Sequence, residues 1–350
     1  MSEPLPPRSL TQPNRSYLLA VVGETTGAGA TDIASGDRSP EDSGSPGHTI
    51  SDGDLPTRML VFGLARHDGT IPAAEVFAVA EQCHRSPEQV RSCLRRIVGE
   101  GLFERDGVGQ RAVYRPTDAG MHALAGFGRR AIRAHVQDTE RGGWDGRWHL
   151  AAFAVPESKR TARDALRDQL GLLGGAAVHN GLYVSPHGWD DEVAAAADGL
   201  DVAEHLTLAV SDALTVGGES EPRALAARLW PLDDLAGRYQ AFLDRWSVVL
   251  DNLGRLQRSN CPLPDSAFLP GSLAMALAYR DCLAADPLLP GELLPHPWPG
   301  RAARDLIVRS RRLALQVRAE ADRPRLFATW DDLVDSAVPP DDGAPRSDTP

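Results

Sequence analysis

The chain has 350 residues, enough for two or three domains with a core each. Its net charge of −11 argues against a general nucleic-acid coat, and no run of eighteen apolar residues offers a transmembrane helix. Four cysteines without C-x-x-C spacing, Cys83, Cys93, Cys261 and Cys282, read as buried thiols rather than a disulfide or zinc site, and a cytoplasmic location is expected.

Residues 1–54 are rich in Gly, Ser, Pro, Asp and Thr and read as a disordered extension. The apolar run at 17–22 is too short for a signal peptide. The glycines at 23–32 lack the G-K-[ST] of a phosphate loop. Residues 339–350 read as a polar tail.

Residues 55–125 form the first expected domain. Residues 56–66 and 72–83 each read as a short helix with an apolar stripe. His84-Arg85 makes a tight turn into a third helix, for which Ser86 is the N-cap, Pro87 the first position and Glu88 a dipole partner. Val90, Leu94, Ile97 and Val98 form its apolar stripe. Arg91, Ser92 and Arg95 point away from that stripe, with Gln89 and Arg96 on its flank. Gly101 suits the C′ position. Two short runs around Asp106-Gly107-Val108-Gly109 read as a hairpin. Helix, helix, turn, helix, hairpin is the order of a winged helix-turn-helix.

That order makes double-stranded DNA the expected partner. Gln89, Arg91, Ser92 and Arg95 are of the types that read base edges, Arg96 is placed for phosphate, and Arg105, Arg111 and Tyr114 on the wing for backbone or minor groove. The competing reading is a solvated helix face. Charge distribution favours DNA: residues 55–142 hold thirteen arginines against ten acids, the only positive surplus in the chain. The surplus is small, so affinity has to come from placed arginines and dimerisation.

Residues 118–140, capped by Thr117, read as a helix, of which 126–143 serve as a linker. Residues 144–221 change character. Strand 148–156, helix 158–174, strands 176–181 and 182–186, helix 189–200 and strand 204–214 give the β-α-β-β-α-β order of a ferredoxin-like domain. Residues 222–338 read as helical, with Leu225 through Leu250 at helical spacing, a Pro-rich break at 262–270, and helices at 271–285 and 301–320. The fold class is thus multidomain α+β.

Several of these pieces, in this order, resemble the PaaX family of repressors of phenylacetate-degradation genes. They are VRSCLRRIVGEGLF with Tyr114, Thr117 and Gly120; Trp144, Asp145, Gly146, Trp148 and Leu150; the run ending GLYVSP at 181–186; and the segment from Asp286 to Gly300. The resemblance covers roughly residues 55–325. It implies a winged helix, a central domain similar to the CRISPR adaptation endonucleases and a helical C-terminal domain. It further implies a homodimer on an inverted-repeat operator, released by an aryl- or acyl-CoA thioester such as phenylacetyl-CoA. The long N-terminal extension, the acidic tail and the alanine-rich second helix depart from that pattern, so the effector can differ.

A CoA thioester needs cations and an apolar slot. The candidates are Arg129, Arg130, Trp144, Trp148, His296, Trp298 and Arg301. Each also reads as structural, the tryptophans as core anchors and the PWPG run as a rigid turn. A metal-dependent nuclease is the remote alternative, but strand 148–156 has no Asp and no nucleophile elbow is present. No cofactor and no metal are expected. An architectural DNA-binding protein without an effector is the other alternative.

Overall fold

A computed structural model of the chain describes residues 55–137, 143–320 and 323–331, with the side chains at 55, 127, 129 and 136 outside that description. The expected N-terminal extension, the polar tail and residues 138–142 of the expected linker lie outside the described residues.

The N-terminal unit has three helices, α1 (Leu55–Gly63), α2 (Ala73–Gln82) and α3 (Pro87–Gly99). A three-stranded antiparallel sheet packs with them, β1 (Ile71–Pro72), β2 (Phe103–Asp106) and β3 (Val113–Pro116), in the order β1-β3-β2. Sequence periodicity misses β1, because two residues carry no alternation; Ile71 opposite Tyr114 shows its register. The second helix therefore starts at Ala73 rather than Pro72. The hairpin connection is also longer than the Asp-Gly signal suggests, since residues 109–111 coil into a single 3₁₀ turn.

α4 (Asp118–Gln137) follows β3. Its start is locked by Thr117, whose hydroxyl donates to the carbonyls of Gly101 (2.7 Å) and Leu102 (3.1 Å) and accepts from Gly120 N (3.1 Å). A Cβ at Gly120 would lie 1.9 Å from the Leu102 carbonyl oxygen. The Tyr-x-x-Thr-x-x-Gly run is therefore a packing device: Tyr114 fills the core, Thr117 ties two chain segments, and Gly120 permits their close approach.

The middle sheet comprises β4 (Trp148–Phe153), β5 (Ala176–His179), β6 (Leu182–Ser185) and β7 (Leu206–Ser211), with α5 (Arg160–Leu172) and α6 (Asp190–Gly199) as crossovers. The strand order is β5-β6-β4-β7, all antiparallel. Odd residues of β4, Ala151 and Phe153, pack with Leu166, Leu170, Val193 and Ala197 of the helices into a separate small core. Trp148, on the opposite face, joins the main core instead.

The C-terminal unit is helical: α7 (Pro222–Leu229), α8 (Leu232–Trp246), α9 (Val248–Arg258), α10 (Asp265–Ala285) and α11 (Pro299–Val317). The apolar spacing from Leu225 to Leu250 is thus divided among three helices. The expected break at 262–270 is shorter, because α10 begins at Asp265 and carries Pro270 inside it. Burial of Ala267, Phe268, Leu269 and Leu273 outweighs the backbone hydrogen bond that proline removes. Arg318 fastens this start with a bidentate pair to Asp265 (2.6 and 2.9 Å), both residues buried.

α10 also packs against α1, α2 and α4, so one continuous core runs from Met59 to Leu326 across the N- and C-terminal units. Among the described residues no helix is long and apolar enough to cross a membrane.

Candidate functional site

α3 is held rigidly at both ends. At its start, Ser86 Oγ accepts from Gln89 N (3.2 Å) while Gln89 Oε1 accepts from Ser86 N (2.9 Å), a complete capping box. At its end, Gly101 adopts φ +71° and returns its N–H to the Val98 carbonyl. Arg58 of α1 reaches across to Glu100 at the C-cap.

Between these anchors Val90, Cys93, Leu94 and Ile97 are buried, while Arg91, Arg95 and Arg96 are exposed. Ser92 is half-buried. Glu88 accepts from Arg91 (2.8 Å) and Arg95 (3.3 Å). Pairs this exposed are weak and screened by salt, so a phosphate can replace Glu88 as the partner.

Two expected contacts change role. The side-chain oxygen of Gln89 is spent on the cap, because a free N-terminal N–H at Ser86 needs an acceptor there. Tyr114 is 7% exposed and sits in the core beside Ile71, because its strand faces inward at that register. Arg105 and Arg111 remain exposed on the hairpin. Sequence reasoning passed over two hairpin residues: Arg115, exposed and 3.3 Å from Asp106, and Val108, 79% exposed at the tip.

The expected ligand residues do not form one site. Arg130 is a strut: its Nε donates to the Leu283 carbonyl (2.7 Å), and its terminal nitrogens donate to the carbonyls of Asp286 and Leu172. Burial lowers its pKa, with the Asp286 carboxylate opposing. Trp144 donates to the Arg147 carbonyl and rests against Trp148, which stacks on Trp230 with centroids 6.5 Å apart. Trp148 is 2% exposed, so these rings are core anchors. Trp298 meets Tyr239 edge-on, and Tyr239 donates to Asp286 Oδ2 at 2.6 Å. Asp286 also takes the Leu288 N–H at 2.7 Å, which explains the Asp that opens the Pro-rich segment. His296 and Arg301 are exposed, and the Arg129 side chain lies outside the described residues.

In the middle unit His149 Nδ1 lies 2.6 Å from Asp190 Oδ2, joining β4 to the start of α6. His187 is half-buried nearby, and desolvation, then the charge of Arg133, lowers its pKa. Among the described residues no group of three or more His, Cys, Asp or Glu is placed to hold a metal.

A large pocket lies elsewhere, between the N- and C-terminal units. It measures about 570 Å³ and is lined by α1, α4, α10 and α11 among others, with Met59, Phe62, Phe268 and Met275 in its wall.

Residues 141–226 match the family model described as the PaaX protein central Cas2-like domain, and residues 230–323 match that of the PaaX-like protein C-terminal domain. The chain is 26% identical over 245 residues to the transcriptional repressor PaaX of Escherichia coli strain K12, covering 70% of this chain and 74% of that protein. Among solved structures it is similar to the uncharacterized protein Rv0674 from Mycobacterium tuberculosis, at 22% identity and a TM-score of 0.49, over 74% of this chain and 95% of that one. The middle sheet and the C-terminal helices are thus matched in succession by two models of one family, and the chain belongs to the PaaX family.

Proposed function

We propose that the chain is a DNA-binding transcriptional regulator without enzymatic activity, a repressor of a catabolic operon. The observation that carries this reading is the exposed arginine row of α3, on a helix capped at both ends and followed directly by a hairpin with exposed Arg105 and Arg111. In this reading α2 and α3 with their tight turn are the helix-turn-helix, and β2–β3 is the wing. Arg91, Arg95 and Ser92 read base edges, Arg96 contacts phosphate, and Arg105 and Arg111 contact the backbone. The relative named a transcriptional repressor supports the regulatory role. A homodimer on an inverted repeat and release by an acyl- or aryl-CoA thioester are supported by family resemblance. The domain division follows the same reading: winged helix 55–125, linker 126–143, ferredoxin-like domain 144–221 and helical domain 222–338.

A mobility shift with the DNA upstream of the protein's own gene, with and without a panel of CoA thioesters, tests it. Specific binding released by one thioester is the expected result. Specific binding unmoved by every thioester keeps the regulator and discards the thioester effector. Binding without sequence preference sinks the regulator and favours an architectural protein.

A further inference from the structure

The void between the two units has the size and wall chemistry of a ligand site. Its volume of about 570 Å³ falls within the ~300–1,000 Å³ typical of small-molecule pockets. An apolar lining that extensive, open to solvent at one side, gains dispersion contacts when an apolar ligand rather than water fills it. The wall is mainly aromatic, methionine and small apolar side chains. Among the lining residues Trp246 and Leu253 are each 1% exposed, whereas Arg66, His67 and Met121 are exposed.

Its charged lining is one-sided. Arg66, His67, Arg130, Arg280 and Arg311 contribute to it, and no Asp or Glu does among the described lining residues. Carboxylates outside the lining pair with three of the four arginines: Glu75 with Arg66, Asp281 with Arg280, and Asp331 with Arg311. Arg130 differs in geometry: the acceptors shown for its guanidinium are backbone carbonyls, and the Asp286 carboxylate, which acts on it through space, takes its own hydrogen bonds from Tyr239 and Leu288. A guanidinium held by carbonyls is oriented with its charge only partly offset, and it favours a further anion beside it.

We propose that this cavity is a binding site for an apolar carboxylate, with its chain or ring among the α10, α11 and α1 side chains and its carboxylate facing the arginines. Site and ligand class stand on the cavity itself. The consequence for DNA rests on the reading of α3 given above. Met59 and Phe62 line the cavity, the Phe62 ring lies 6.0 Å from that of Phe103 in β2, and Arg58 on the same helix holds Glu100 at the end of α3. A ligand in the cavity therefore presses on the helix that positions α3.

Calorimetry on the full chain without DNA tests the site, using decanoate and, as an uncharged probe of the same length, decan-1-ol. The expected result is one decanoate per chain, bound at least about tenfold more tightly than the alcohol, as a charged hydrogen bond supplies. Gly271 lines the cavity on α10, and a Cβ there would meet nothing within 4 Å. Gly271→Phe should fold, gain helix propensity and abolish binding, while Gly271→Ala keeps it. Absence of decanoate binding, equal affinity for the alcohol, or full binding by a folded Gly271→Phe protein each overturns the proposal. Binding that appears only after deletion of residues 1–54 also overturns it, and assigns the cavity to that segment. No arm uses DNA, so failure here leaves the regulator reading intact, and loss of DNA binding leaves this one intact.

Discussion

Arg58 Nη1 lies 3.0 Å from one carboxylate oxygen of Glu100 and 2.8 Å from the other, joining α1 to the C-terminal end of α3. The two side chains are only 17% and 15% exposed, and the Arg58 guanidinium also covers the Phe62 ring at 5.0 Å. The pair thus ties the end of α3 to α1, away from Arg91 and Arg95.

Replacing one partner strands the other in a half-buried place. Arg58→Met should lower stability by about 1–2 kcal/mol, between the values for exposed and fully buried pairs. Urea unfolding measures it. In the proposed reading operator affinity also falls although Arg58 touches no DNA, and unchanged affinity would show that the pair does not set the helix.

Arg91 and Gln89 are two residues apart on one helix but do different work. Arg91→Ala or Arg95→Ala should cost about 1–3 kcal/mol in operator binding with little change in thermal stability. Gln89→Ala should do the reverse, removing half of a capping box worth roughly 0.5–2 kcal/mol of helix stability while sequence preference persists. Fluorescence anisotropy on operator variants, beside melting curves, separates the two.

Gly120→Ala places a methyl carbon 1.9 Å from the Leu102 carbonyl oxygen, a backbone atom that cannot swing aside. The expected loss is about 3 kcal/mol, at the upper end for overpacking. Calorimetric melting that matches the wild type would contradict the tight crossing of β2 and α4.

Burial pushes the Cys93 thiol up to about 11 and the Cys83 thiol up to about 12, from an ordinary value of 9.0. The folded state therefore keeps these protons through a range where the unfolded chain releases them. Stability should be untouched by the thiols below pH 9 and fall as pH rises from 9 towards 11. Burial and the Asp286 carboxylate raise Tyr239 as well, which adds in the same direction. Denaturant unfolding at pH 7.5 and pH 10 checks the slope. A thiol reagent at pH 8 should modify half-buried Cys261 well before Cys83 or Cys93.

Much of the candidate interface is legible without coordinates, because caps and stripes are local. Ser86, Pro87 and Gly101 mark the ends of α3 by chemistry confined to one turn, and the 3.6-residue period separates Val90, Leu94 and Ile97 from Arg91 and Arg95. The β-α-β-β-α-β order is legible for the same reason, since each element carries its own period and Asn180-Gly181 marks the turn between β5 and β6.

The ligand candidates fared differently. Arg130, Trp144, Trp148 and Trp298 are of suitable types, but residue type does not say which partner comes within 3 Å. Arg130 meets carbonyls more than 150 residues away in sequence, and Trp148 meets Trp230. Tyr114 faces the core rather than solvent because an isolated four-residue strand has two faces, and only pairing with the two-residue β1 decides which is covered.

By itself, then, the sequence determined the order of the middle-unit elements, the exposed arginine row and three of the four expected buried thiols, Cys261 being half-buried at a chain turn. The tertiary structure alone decided that α10 closes against α1 and α4, and that a cavity with arginines and no described acid remains between them. The physical reason is separation: the walls come from residues 59 to 330, and no local period encodes where surfaces that far apart along the chain fail to meet.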